Sequence, residues 1–221
     1  MKKRLNTFLF DLDGTLVNTN EIIIKSYQHA YSKHLPNLNL DRDTIISDIG
    51  PPLRAIFNKY TTSEETVEKL IETYLEYYVA NEHDVFYLYP GVEDTLNKLK
   101  EQGHNLAIVT SKFRSSAQPS IDHFNLEDYF NVIVTLDDVR KPKPDSEAIH
   151  KALNHFDNVE KAIMVGDNDS DILAGQNADI LSAGVAWSIK GETFLKQVKP
   201  DYMLKTMHHI FKIIDYENGE R

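Results

Sequence analysis

The sequence predicts an α/β protein, a parallel sheet flanked by helices, with a helical insert placed directly after the first strand. From about Pro90 onward, short apolar runs alternate with helix-like segments, the pattern of strands joined by helical crossovers. The stretch from about Thr19 to Glu82 has helical periodicity and no strand. Two carboxylate clusters, at Asp11 and Asp167, each follow an apolar run where a buried strand should end.

Leu5 to Phe10 is short, aromatic-rich and uncharged, which suits a strand better than a helix. In the insert, Ile22, Ile23 and Tyr27 mark one helix, and Val67, Leu70, Ile71, Tyr74 and Tyr78 mark a second. Thr62-Ser63-Glu64-Glu65 has capping-box spacing at the start of the second. Tyr74, Tyr77 and Tyr78 are expected to pack inside the insert, while Gly50-Pro51-Pro52 and Asn81-Glu82-His83-Asp84 fit loops or hinges. Pro90-Gly91 opens a helix with Val92, Leu96 and Leu99 on one side and Gly103 as its stop. A strand Leu106–Val109, a helical stretch broken at Pro119, and a strand Val132–Val134 follow. Next come a helix through Ala148, Ile149, Ala152 and Leu153, a strand Ala162–Val165, a short helix from Ile172 and a strand near Leu181 to Val185. Asp137-Asp138 reads as a loop near the sheet's carboxyl edge, and His208-His209 as the solvated face of a polar C-terminal helix. The expected domains are a core of residues 1–16 and 88–221 and a helical domain of residues 17–87.

A chain of 221 residues with 41% hydrophobic and 26% charged residues can bury a substantial core. Its formal net charge of −10 argues against nucleic acid as a partner, since binding a phosphate backbone needs a basic patch. The same charge repels anionic substrates at long range, so such a substrate needs local lysines and a metal to hold it. With no cysteine, disulfides, thiolate zinc sites and cysteine nucleophiles are excluded. Met1-Lys2-Lys3-Arg4 imitates the start of a signal peptide, but Asp11 and Asp13 interrupt the apolar run that follows. No apolar stretch approaches the roughly 18 residues of a membrane span, so a cytoplasmic protein with no membrane partner is expected.

In open parallel sheets, ligands bind outside the carboxyl ends of strands. Two acidic clusters at two such ends predict a hard-cation site, because Mg²⁺ prefers oxygen ligands and commonly joins carboxylates to a phosphate. Four segments stand in order: Asp11-Leu12-Asp13-Gly14-Thr15, Thr110-Ser111 after an apolar strand, Arg140-Lys141-Pro142-Lys143-Pro144-Asp145, and Gly166-Asp167-Asn168-Asp169-Ser170-Asp171. Together they resemble the four motifs of the haloacid dehalogenase (HAD) superfamily, most of whose members are phosphate hydrolases. The resemblance spans nearly the whole chain. It implies a HAD Rossmann-like core with an inserted α-helical cap, Mg²⁺ as cofactor, and an aspartyl-phosphate mechanism.

By that resemblance, Asp11 matches the nucleophile and Asp13 the general acid/base, with Gly14 permitting the turn that brings both to one phosphoryl centre. Asp167 matches the direct Mg²⁺ ligand; Asp11 and the Asp13 backbone carbonyl complete the implied set. Either Asp171 or Asp169 supports the metal through water or by holding its ligands, with Asp171 preferred. Thr110, Ser111 and the adjacent N–H groups match the binders of the transferring phosphoryl oxygens. Lys112 is either a contact to a second phosphate or a surface lysine. Lys141 and Lys143 both fit the third motif. Family members carry an Ala-Leu pair nine and ten residues after the lysine, and counting from Lys143 reaches Ala152 and Leu153. Lys143 is therefore preferred, with Ser146 in place of the usual second proline.

Dehalogenases and phosphonatases of the superfamily lack a carboxylate at the position of Asp13, so its presence implies phosphate-ester or phosphoanhydride transfer. Asn18-Thr19-Asn20-Glu21, Ile49-Gly50-Pro51-Pro52-Leu53, Leu136-Asp137-Asp138-Val139, Gly175-Gln176-Asn177-Ala178 and Ala183-Gly184-Val185-Ala186-Trp187 look like the HAD-type inorganic pyrophosphatases of low-GC Gram-positive bacteria. The alternatives are a phosphoglycolate or other small phosphomonoester phosphatase, a phosphosugar mutase, and a phosphate-binding module without turnover. In every case the partner is a small anionic phosphate compound. The cap loop from Gly50 to Arg54 is the candidate for substrate selection, with Arg54 either reading a second phosphate or lying solvated on a helix.

Overall fold

The computed structural model describes residues 3–81 and 86–219. Contacts divide the chain into two compact units, Met1–Val17 with Leu88–Arg221, and Asn18–Tyr87. In chain order the first elements are β1 (Leu5–Phe10), β2 (Val17–Asn18), α1 (Asn20–His34), α2 (Arg42–Asp48), α3 (Leu53–Phe57), α4 (Glu64–Asn81) and β3 (Tyr87–Leu88). Then follow α5 (Val92–Glu101), β4 (Asn105–Val109), α6 (Arg114–His123), β5 (Val132–Val134) and α7 (Glu147–Leu153). The chain ends with β6 (Lys161–Gly166), α8 (Asp169–Asn177), β7 (Leu181–Val185), α9 (Glu192–Lys196), β8 (Tyr202–Leu204) and α10 (His209–Asn218).

The larger unit is built on a six-stranded parallel sheet in the order β5-β4-β1-β6-β7-β8. Its central strands are apolar along their whole length because both faces are covered: Phe8, Leu9, Phe10, Ile108, Ile163, Met164 and Val165 are all fully buried. Leu9, Val109, Val134, Ile149, Ala152 and Met164 form one continuous core cluster. From β1 the chain fills one side of the sheet, through β4 and β5, then crosses to β6 and fills the other. The order therefore reverses between β1 and β6, and a crevice opens at the carboxyl ends of strands at such a point. Phe10 pairs with both Ile108 and Val165, so Asp11, Thr110 and Asp167 leave the sheet at one edge.

Several elements differ from the sequence expectation. Helix α6 runs unbroken through Pro119. Pro119 has no N–H to give, but Ala117, Ser120 and Ile121 are buried and fix one face of the helix in the interior. Helix α8 starts at Asp169, three residues before Ile172, because Asn168 and Asp171 form a reciprocal capping box. The last helix is not polar: α10 buries Ile210, Ile213 and Ile214. His208 precedes it, with Nε2 2.7 Å from Asp94 Oδ2.

The smaller unit packs α1 against α4 around an aromatic cluster of Tyr27, Tyr31, Phe57, Tyr74 and Tyr78. Tyr77 stacks on His29, with centroids 4.6 Å apart. The cap of α4 is Ser63, whose Oγ accepts the Thr66 N–H at 3.3 Å; Glu65 pairs with Lys69 at 2.7 Å and takes no part in a capping box. Gly50-Pro51-Pro52 joins α2 to α3. The loop expected at Asn81-Glu82-His83-Asp84 lies, beyond Asn81, outside the described residues. No helix among the described residues is long and apolar enough to cross a membrane.

Leu9 points into the core cluster beneath the carboxyl edge of β1. Leu9→Ala is expected to lower unfolding stability by about 2–5 kcal/mol, measured by urea denaturation. Ser63→Ala, which removes one helix cap, should lower it by about 1 kcal/mol.

Candidate active site

Asp11 follows β1 and donates its N–H to the Val165 carbonyl of β6 at 2.9 Å, which fixes the residue on the reversal point of the sheet. Asp167 follows β6, and Asp171 lies in the first turn of α8. All three are buried, and one carboxylate oxygen from each lies within 4.8 Å of the others. Two glycines make this approach possible. Gly14 has φ +76°, and a Cβ there would stand 2.2 Å from Asp167 Oδ2; a Cβ on Gly166 would stand 2.2 Å from that of Asp171.

Lys143 is the counter-charge. Its Nζ donates to Asp11 Oδ1 at 2.8 Å, to Asp171 Oδ1 at 2.6 Å and to the Val109 carbonyl at 2.8 Å. All three ammonium donors are satisfied in a site closed to water, which a buried charge requires. Lys141, by contrast, has a side chain 73% exposed and 3.8 Å from Asp145. Burial opposes the charge on Lys143, but Asp11 and Asp171 more than offset it and hold the ammonium above the ordinary lysine range.

Three carboxylates against one ammonium leave the cluster short of positive charge. Burial, aided by Asp171 and Asp13 and opposed by Lys143, pushes Asp11 up to about 7. Burial, with Asp11 and Asp171 adding to it, pushes Asp167 well above the usual carboxylate range. A buried set of oxygen donors in this state fits a hard divalent cation. Asp11 and Asp167 could bind it directly. Asp171 already accepts from Lys143 and, through Oδ2, from the Asn168 N–H at 3.0 Å, so its larger part is to hold those two groups. Asp169 accepts from Ser170 N–H and stands outside the cluster.

Asp13 is not one of the triad and pairs with Lys112, whose Nζ lies 3.0 Å from Oδ2 and 3.1 Å from Oδ1. Lys112 is thereby drawn into the site. Thr110 is buried, gives its N–H to Val134 O and accepts the Lys112 N–H on Oγ1 at 3.2 Å; Ser111 is half-buried beside it. Arg54 belongs to the helical unit, where its guanidinium pairs with Glu64 and Glu68. Asp137 and Asp138 follow β5 in a turn capped by Thr135, and Asp138 pairs with Arg114 and Lys151. Sequence reasoning did not single out Asn168, Ser188 and Lys190. Ser188 Oγ donates to the Asp167 carbonyl at 2.6 Å, and Lys190 Nζ lies 3.5 Å from Asn168 Oδ1. Asn168 stands inside the Gly166–Asp171 motif without a role assigned to it, and Ser188 and Lys190 follow the end of β7, at the same edge as Asp167.

Residues 8–185 match the family model of haloacid dehalogenase-like hydrolases. A protein from Halalkalibacterium halodurans named "Pyrophosphatase PpaX" is 43% identical over 211 residues, covering 95% of this chain and 97% of that one. Among solved structures, a "predicted phosphatase" from Clostridium acetobutylicum superposes with a TM-score of 0.82 at 30% identity, covering 96% of this chain and 98% of that one. A "predicted phosphoglycolate phosphatase" from Haemophilus somnus gives 0.84 at 25% identity, covering 95% and 97%.

Removing the ammonium of Lys143 leaves buried carboxylates uncompensated. Lys143→Ala is expected to lower stability without divalent cations by about 3–5 kcal/mol, whereas Lys141→Ala should stay within about 0.5 kcal/mol. Urea unfolding of both variants in a chelating buffer measures the difference. Activity should follow the same order.

Proposed function

The chain belongs to the haloacid dehalogenase-like hydrolase family, and on that footing we propose a Mg²⁺-dependent phosphohydrolase acting through an aspartyl-phosphate on Asp11, with inorganic pyrophosphate as substrate. The observation that carries the mechanism is the contact of Lys143 with both Asp11 and Asp171. A carboxylate is a weak nucleophile, so catalysis depends on holding it against the phosphorus and neutralising the phosphoryl oxygens. Lys143 holds Asp11 by Oδ1, and Oδ2 is then the attacking oxygen. Its bond to phosphorus forms as the bond to the leaving oxygen breaks. Thr110, Ser111 and the N–H groups beside them bind the equatorial oxygens of the transferring group. Asp11, Asp167 and the Asp13 carbonyl, with Asp171 in support, would hold Mg²⁺, which would supply Lewis-acid neutralisation of the phosphoryl charge.

Asp13 protonates the leaving oxygen and then takes a proton from the water that attacks the phosphorus of the intermediate, returning Asp11 as a carboxylate. Lys112, at 3.0 Å, keeps the Asp13 side chain in one orientation for both steps. Pyrophosphate as substrate is supported by the likeness to the "Pyrophosphatase PpaX" of Halalkalibacterium halodurans across nearly the whole of both chains. Phosphoglycolate is the second reading, favoured by the Haemophilus somnus structure.

Phosphate release from pyrophosphate, phosphoglycolate and sugar phosphates, assayed side by side with Mg²⁺, should give pyrophosphate the highest kcat/KM by about tenfold or more. A higher value for phosphoglycolate would establish the second reading. Asp11→Asn should lower turnover at least about a thousandfold with circular dichroism unchanged. Exhaustive chelation should abolish activity, and Ca²⁺ should inhibit, because its looser and higher coordination misplaces the in-line geometry.

A further inference from the structure

We infer that Asp137 is a positioning residue of this site: its carboxylate fixes the loop Thr110–Lys112 so that the donors there meet the equatorial oxygens of the transferring phosphoryl group. The inference rests on the phosphohydrolase reading above, which gives that loop its task, and holds whichever phosphate compound is the substrate.

The loop runs from β4 to α6, and the residues that follow β5 hold it at every second position. Val109 pairs with Val134 where the two strands end. Beyond that pair the two segments stay joined. Thr110 gives its N–H to the Val134 carbonyl at 3.0 Å, and Leu136 gives its N–H to the Lys112 carbonyl at 2.8 Å. Asp137 supplies the last tie, its Oδ2 accepting the Arg114 N–H at 2.6 Å. Thr110, Lys112 and Arg114 are thus held by Val134, Leu136 and Asp137 in turn. Within the loop, the Lys112 N–H donates to Thr110 Oγ1 at 3.2 Å.

Arg114 is the first residue of α6, and its N–H is one of the four at a helix start that the helix itself cannot pair. The residue before it is Phe113, whose side chain has no acceptor, so the cap comes from the turn after β5. A carboxylate there also meets the positive end of the helix. The Arg114 guanidinium donates to the Ile133 carbonyl at 2.7 Å and to Asp138 Oδ2 at 3.4 Å, which closes the segment against β5. The turn is itself braced. Asp138 Oδ2 accepts the Thr135 N–H at 2.8 Å and the Thr135 hydroxyl at 2.9 Å, and the Asp138 carbonyl accepts from Lys151 Nζ of α7 at 2.6 Å. Donors that stabilise a transition state must be in place before its charge develops, and a drift of about 1 Å is costly in rate. Asp137 is exposed and stands outside the carboxylate triad, so its part is to hold the loop and not to touch the reacting atoms.

The test uses hydrolysis of p-nitrophenyl phosphate by the full chain at fixed free Mg²⁺, with orthovanadate and inorganic phosphate as inhibitors. Vanadate takes up the five-coordinate geometry of the transferring group and so reads the alignment of the loop, whereas tetrahedral phosphate is held mainly by charge. Inhibition constants do not depend on the fraction of chain that is folded, so a merely structural loss would leave their ratio unchanged. Asp137→Ala should raise the vanadate constant on the order of fivefold and the phosphate constant by no more than about twofold. Asp137→Asn keeps an acceptor oxygen and should stay within about twofold of wild type on both. Arg114→Pro removes the same bond from the donor side, at a helix position that accepts proline. Measured against Arg114→Ala, it should repeat the shift, and it decides the matter if Asp137→Ala fails to fold. An unchanged ratio in either variant, or an Asp137→Asn as impaired as Asp137→Ala, would overturn the inference and leave the phosphohydrolase reading intact. A wild-type protein that neither hydrolyses the ester nor binds vanadate would overturn both.

Discussion

Three carboxylates cannot be gathered in a water-excluded crevice unless something holds their charge, and in this protein the ammonium of Lys143 does so. It is reached from four separate elements: Asp11 after β1, Val109 at the end of β4, Asp171 in α8, and Lys143 itself from the loop before α7. These residues are dispersed in sequence, so the contact forms only when the sheet order and registers are correct. The active site and the topology therefore rest on one interaction. The same contact leaves the cluster underneutralised, with Asp11 and Asp167 pushed upward by burial. Such a cluster suits the divalent cation and phosphate proposed for it better than it serves the stability of the chain.

Local features around the cluster serve two purposes at once. The Asn168–Asp171 capping box starts α8 and simultaneously fixes the carboxylate that Lys143 needs. Gly14 permits the turn after β1, and its missing Cβ makes room for Asp167. Ser188 ties the chain after β7 to the Asp167 backbone. In each case a requirement of the fold and a requirement of the site are met by the same atoms, so damage to either should appear in both.

Much of the core was legible in the sequence because its central strands are buried on both faces. Val132–Val134 and Leu181–Val185 are uninterrupted small or apolar runs, Leu5–Phe10 is broken only by Asn6 and Thr7, and all three have the predicted bounds. Elements without such a run were missed: β8 has three residues, and α9 has five with only Leu195 buried. The start of α8 was misplaced because the reading followed apolar periodicity, while the helix is started by a polar cap. The α4 cap was displaced by one residue for a related reason, since Thr62 and Ser63 offer the same chemistry and only the backbone decides between them. The preference for Lys143 over Lys141 came from the family's spacing to an Ala-Leu pair, which lies here at Ala152 and Leu153 in α7, and not from any feature of the loop itself. The partner of Asp13 was not legible, since the pair joins residues 99 apart, and Lys190 carries no motif at all.

In the proposed reaction Asp11 carries the phosphoryl group and pyrophosphate delivers it. Asp13→Asn retains the nucleophile and removes the acid/base group that activates water for the second step, so the phosphorylated chain should accumulate. Mass spectrometry of that variant, quenched in acid after exposure to pyrophosphate and Mg²⁺, measures this most directly. One added phosphoryl group is expected, located on the peptide containing Asp11 and absent from the double variant that also carries Asp11→Asn. Complete absence of the adduct while Asp13→Asn still turns over, or an adduct on another residue, would contradict it.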